Sequence, residues 1–193
     1  MGISLVKGGN LSLTKQAGPT GLRRITVGLG WEARRTLCAA FDLDTSSFLL
    51  GVDGRARSTA DVIFYNQPRS ACGGVEYQGD NRTGDVAGDD EHIRVDVSAL
   101  PADVARVAFT VTIHEGEERR QNFGMVSSAY IRVVDESNGV ELVRYDLAED
   151  YSTETALTFG ELYRHGGDWK FKAIGQGICG GLADVAQSFG LTI

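Results

Sequence analysis

The chain has 193 residues, 26 of them acidic and 19 basic, for a net charge of −7. That length suits a single domain over 1–193 with a substantial core, and the acidic balance, with no basic stripe, argues against a nucleic-acid partner. With 42 % hydrophobic and 23 % charged residues, the composition is that of a globular chain and not a disordered one. Three scattered cysteines, Cys38, Cys72 and Cys179, show no Cys-x-x-Cys spacing and fit a reducing cytoplasm. The first residues lack a secretion signal, and Val6 stands where myristoylation wants Ser or Thr. No apolar run approaches the roughly 20 residues of a membrane helix.

In chain order, residues 3–6 and 11–14 alternate apolar and polar around Gly8-Gly9-Asn10, which predicts a β-hairpin. Strands are expected at about 24–31, 39–50, 61–66, 74–78, 92–97, 105–113, 128–135, 140–147, 156–163 and 168–174, separated by Gly, Asn, Asp and Pro clusters. A helical turn is expected over 98–103, with Ser98 as its cap and Pro101 early in it. A helix over 182–189 places Leu182, Val185, Ala186 and Phe189 on one face, ended by Gly190. The predicted fold is all-β, a two-layer β-sandwich with a short C-terminal helix.

Two acidic elements stand out. The stretch 79–91 carries five carboxylates, Asn81 and Thr83 on a glycine-punctuated loop. Ca²⁺ takes 6–8 hard oxygen ligands at about 2.3–2.6 Å, which such a loop can offer. It is not an EF-hand, because Arg82 holds the third position and Asp85 the sixth, where Gly is required. Upstream, Phe41 and Leu43 alternate with Asp42 and Asp44, so a strand here would carry both carboxylates on one side, roughly 6.5–7 Å apart. Aspartate is disfavoured in strands and asks for a compensating partner.

Other motifs are weaker. Gly175-Gln176-Gly177-Ile178-Cys179-Gly180 matches Gly-x-Gly-x-x-Gly, but too few residues follow for a dinucleotide fold, so it reads as a close-packed strand-to-helix turn. His92, His114 and His165 have no zinc spacing. His114 beside Glu115 is an acid–base pair only if a substrate pocket faces it. Cys38 and Cys72 would suit a soft metal if they met in space, and idle thiols otherwise.

Over essentially its whole length the chain resembles the TerD family of tellurium-resistance and stress proteins. The resemblance rests on Ser4-Leu5-Val6-Lys7-Gly8-Gly9-Asn10, Val27-Gly28-Leu29-Gly30-Trp31, Phe41-Asp42-Leu43-Asp44, Ile63-Phe64-Tyr65-Asn66, the 79–91 loop, Arg120-Gln121-Asn122-Phe123-Gly124, and Gly160-Glu161-Leu162-Tyr163-Arg164 with Trp169-Lys170-Phe171-Lys172. It implies a calcium-binding, non-enzymatic stress-response module in the bacterial cytoplasm. The implied ligands are Asp42 and Asp44 on one wall, and Asp80, Asn81, Thr83, Asp89, Asp90 and Glu91 on the other. It further implies other stress-resistance proteins as partners, and a location extending to a membrane-embedded complex at the inner face of the membrane. The rival readings are a calcium-ordered protein–protein scaffold and an enzyme acting on an oxyanion or nucleotide. Two departures remove loop carboxylates near the implied site: Leu37-Cys38-Ala39-Ala40 and Cys72-Gly73 stand where relatives tend to carry Asp-Gly.

Overall fold

The computed structural model describes residues 2–33, 41–80, 88–147 and 151–192. Its strands are β1 (Ile3–Leu5), β2 (Asn10–Ser12), β3 (Arg24–Ala33), β4 (Leu43–Leu50), β5 (Val62–Ile63), β6 (Val75–Asp80), β7 (Glu91–Asp96), β8 (Arg106–Ile113), β9 (Val126–Asp135), β10 (Val140–Asp146), β11 (Ala156–His165) and β12 (Asp168–Ile178). Two helices join them, α1 (Leu13–Ala17) and α2 (Leu182–Ser188). The strands form two six-stranded sheets, ordered β1-β10-β9-β3-β7-β6 and β2-β12-β11-β8-β4-β5. The all-β sandwich with a short C-terminal helix is the observed fold.

The inner faces meet in one core. Ile25, Val27, Leu29, Ile93, Val95, Ile131 and Val133 come from the first sheet, and Leu49, Val107, Phe109, Val111, Leu157, Leu162 and Phe171 from the second. Strand β7 shows the alternation expected of a half-buried strand, with Glu91, Ile93 and Val95 inward. Strand β8 is buried on nearly every residue because its outer side is covered as well. That cover is α2, whose Val185 and Ala186 pack with Leu191 on Phe48, Leu50 and Ala108. The rings of Phe48 and Phe189 lie 4.8 Å apart.

Several local expectations fail. Strands β1 and β2 are not a hairpin: β1 pairs in parallel with β10, and β2 pairs antiparallel with β12 in the other sheet. The turn at Gly8-Gly9 carries the chain between layers, held by Gly8 N–H donating to the Ala173 carbonyl at 2.9 Å. Residues 13–17 turn helical, capped by Ser12 Oγ accepting from Lys15 N–H at 3.2 Å, and bury Leu13 completely. No helical turn forms over 98–103, because Asp96 Oδ1 accepts from Ser98 N–H at 3.0 Å and closes a local turn instead. The strand expected over 61–66 shrinks to Val62–Ile63. The glycine motif at 175–180 is not simply a turn, since β12 continues through it to Ile178.

Candidate metal centre

Strand β4 begins at Leu43, so Asp42 lies before it, exposed, with its carbonyl accepting from His114 N–H at 2.8 Å. Asp44 shares its side of β4 with Ser46, Phe48 and Leu50, and the last two lie beneath α2. Its carboxylate therefore points to the outer face, with Oδ2 3.6 Å from His114 Nδ1. The other ring nitrogen of His114 lies 3.6 Å from Glu115 Oε1. Thr45 turns the opposite way, into the space between the sheets.

There it meets Glu91, which is 0 % exposed. Glu91 Oε2 accepts from Thr45 N–H at 2.7 Å, and Oε1 accepts from the Tyr77 hydroxyl at 2.9 Å. One buried carboxylate thus ties the two layers together at the end where β4 and β7 begin. Such a bond to a charged group contributes about 1.5–3 kcal/mol.

Asp90 is also buried, at 4 % exposure, and its Oδ2 accepts from Trp31 N–H at 2.8 Å. Burial pushes its carboxyl above the usual range; the Trp31 hydrogen bond opposes this, and the neighbouring charge of Asp89 adds to it.

Asp89 has a different setting. Its side chain is 2 % exposed and lies 2.7 Å (Oδ1) and 3.0 Å (Oδ2) from Arg132 Nε. The Tyr130 hydroxyl lies 2.9 Å from Oδ1 and His92 Nε2 3.4 Å from Oδ2. Burial alone would raise its carboxyl, but hydrogen bonds from His92, Arg132 and Tyr130 together hold it below the usual range. Burial, with the Asp89 bond second, pushes the Tyr130 phenol up to about 12. The Arg144 guanidinium caps that ring at 3.7 Å.

This network explains the alternate glycines of Val27-Gly28-Leu29-Gly30-Trp31. Both face outward from β3. A Cβ on Gly28 would overlap the Asp89 carboxylate, and one on Gly30 would overlap the Tyr130 ring. Gly30→Ala is therefore expected to cost about 2 kcal/mol by overpacking. Urea denaturation measures this, and an unchanged midpoint would mean that Tyr130 moves aside freely.

Asp80 is described through its backbone alone, paired with Glu91. Asn81, Thr83 and Cys38 lie outside the described residues. The fold thus brings Asp90 and Glu91 to one end of the sandwich, engages Asp89 with an arginine, and turns Asp44 to another face. Among the described residues, no group of three or more His, Cys, Asp or Glu side chains could hold a metal ion. Cys72 is half-buried, 3.4 Å from Ser70 Oγ.

A model of the TerD domain matches residues 1–189. This chain belongs to the TerD family. It is 53 % identical to a tellurium resistance protein TerD from Alcaligenes sp., over 99 % of this chain and 98 % of that one. It is 51 % identical to general stress protein 16U of Bacillus subtilis (strain 168), with both chains covered in full. A solved Streptomyces coelicolor A3(2) homologue of telluride resistance protein TerD shares the fold, with a TM-score of 0.71 at 24 % identity over 90 % of this chain and 100 % of that one.

Within this TerD domain, sequence reasoning missed Tyr77, Arg132, Tyr130 and Trp31 as the partners of the acidic cluster. The signal for one of them, Tyr130, was present. Glycines at alternate positions of a strand mark a face onto which large neighbours fold.

Proposed function

We propose that this TerD-family chain is a calcium-binding stress-response module of the bacterial cytoplasm, serving resistance to tellurite and related chemical stress. The observation that carries the calcium reading is Asp90, a buried carboxylate with a raised pKa beside a second carboxylate, at the root of the acidic loop. A hard cation would offset its burial and the repulsion from Asp89. Asp90 and Glu91, with Asp80, Asn81 and Thr83, would hold the ion. Asp89 would add an oxygen while staying paired to Arg132, and Asp42 and Asp44, on the outer side of β4, would serve a separate ion. When bound, the ion would supply charge neutralisation and order to the loop.

The activity is read as binding and not turnover, in a protein that works beside other stress-resistance proteins and docks at a membrane-embedded complex on its inner face. No helix of the described residues is long and apolar enough to cross a membrane. The names of the relatives support the stress-response reading, and the net charge of −7 supports a partner other than nucleic acid.

Calcium titration calorimetry of the metal-stripped chain tests the reading. Heat that saturates, and survives excess Mg²⁺, is expected; a flat titration would sink it. Asp90→Asn should weaken binding about tenfold or more, by loss of a charge in a buried setting. Because Asp44 and Glu91 lie on opposite sides of β4, the losses from Asp44→Asn and Asp90→Asn should add within about 0.5 kcal/mol. Coupling beyond that would put both motifs on one ion.

A further inference from the structure

The trailing end of the acidic loop is pinned residue by residue. Asp90 N–H donates to the Leu29 carbonyl at 2.7 Å, and its Oδ2 accepts from Trp31 N–H at 2.8 Å. Glu91 is tied to Thr45 and Tyr77, and Asp89 to Arg132, with His92 Nε2 3.4 Å away. One step further out, the Tyr130 hydroxyl lies 3.0 Å from the Gly88 carbonyl oxygen.

That hydroxyl stands between two acceptors, the Gly88 carbonyl and, at 2.9 Å, Asp89 Oδ1. A phenol has a single proton to donate, so the two acceptors share it. The hydroxyl therefore spans the corner at which the loop returns to β7. Gly88 takes φ +149 there, a conformation open to glycine and strained for other residues.

The sequence places the hydroxyl by three devices. On β9 a bulge precedes Tyr130: Gly30 pairs with Tyr130 and Glu32 with Ser127, so Ser128 and Ala129 oppose the single residue Trp31. Ser128 takes φ +55, which is uncommon for a residue other than glycine. Bulges re-aim a side chain and recur beside functional sites. On β3, Gly30 leaves the slot in which the ring lies, since a Cβ there would overlap it. The Arg144 guanidinium then closes over the ring at 3.7 Å.

We propose that Tyr130 is a positioning residue of the calcium site, whose hydroxyl fixes the Gly88–Asp89 corner so that Asp90 is presented to the ion in one arrangement. The inference rests on the calcium reading given above. Tyr130 acts through the loop and not on the ion. It removes conformations that the loop would otherwise lose on binding, which is how preorganisation raises affinity.

The test compares the metal-stripped wild type with Tyr130→Phe, which keeps the ring and deletes only the hydroxyl. In calcium titration calorimetry the variant's Kd should rise about tenfold. In chelator, hydrogen exchange at the Trp31 amide, which donates to Asp90, should quicken about fivefold or more, while the β8 amides keep their wild-type rates. A hydroxyl that only stabilised the fold would lower the melting temperature and leave the Kd and the Trp31 exchange unmoved. Calcium binding of wild-type strength in Tyr130→Phe, or unmoved Trp31 exchange, would overturn the positioning role alone. A flat titration of the wild type would overturn the calcium reading, and the positioning role with it.

Discussion

Replacing Arg132 with alanine is expected to destabilise the protein by about 3 kcal/mol at neutral pH. The variant strands Asp89 in a site where its side chain is 2 % exposed, and breaking a buried pair by removing one partner costs roughly 3–5 kcal/mol. The lower end applies because Arg132 is itself 31 % exposed. The pH dependence gives a second readout. In the native chain Asp89 is held below the usual carboxylate range. It therefore adds stability above its unfolded pKa of about 4, and that stability is lost as pH falls through the lower, folded value. Without Arg132 the hydrogen bonds from His92 and Tyr130 remain but one lowering partner is gone, so the folded pKa moves up toward the unfolded one. The stability that Asp89 adds above about pH 4 should shrink accordingly, and the pH dependence between its folded and unfolded values should flatten. Urea denaturation at several pH values, in chelator, measures both effects. A loss under about 0.5 kcal/mol with an unaltered pH profile would mean that the ion pair is stabilised no more than a surface one.

Calcium should raise the melting temperature by roughly 5–10 °C. A ligand that binds only the native state at a hundredfold excess over its Kd adds about 2.7 kcal/mol, and for a chain of this size each kcal/mol moves the midpoint by about 2–4 °C. The gain should shrink in Asp90→Asn. That variant, in chelator, should also be somewhat more stable than the wild type, because it relieves a buried charge beside Asp89. Identical melting curves in chelator and in millimolar calcium would remove the case for a native metal site.

The layered fold was legible because strands such as β7 keep a strict alternation, and because the Leu182, Val185, Ala186 and Phe189 stripe has helical spacing. The entry of the chain was not. Alternation around Gly8-Gly9 looks the same whether the turn folds back on itself or passes to another sheet, since period 2 reports which face is buried and not which strand is the neighbour. Likewise Asp89, Asp90 and Glu91 are three consecutive carboxylates to a sequence reader. What separates them is distant: Arg132 is 43 positions away and Thr45 is 46. Each draws one acid toward a different layer or face. A glycine pair was the legible trace of that arrangement, and a resemblance of motifs carried the rest.

The passage of the chain between layers at Gly8-Gly9 has a consequence for how the molecule guards itself against self-association. Strand β1 occupies the free side of β10, and β2 the free side of β12. One short segment therefore supplies an edge strand of each sheet, and very short edge strands blunt the unpaired ladder on which a second chain could add. The two edge strands are each three residues long and joined by a single turn. Peeling either one strains the other, so the blunting of one edge of each sheet is a shared property of the first dozen residues.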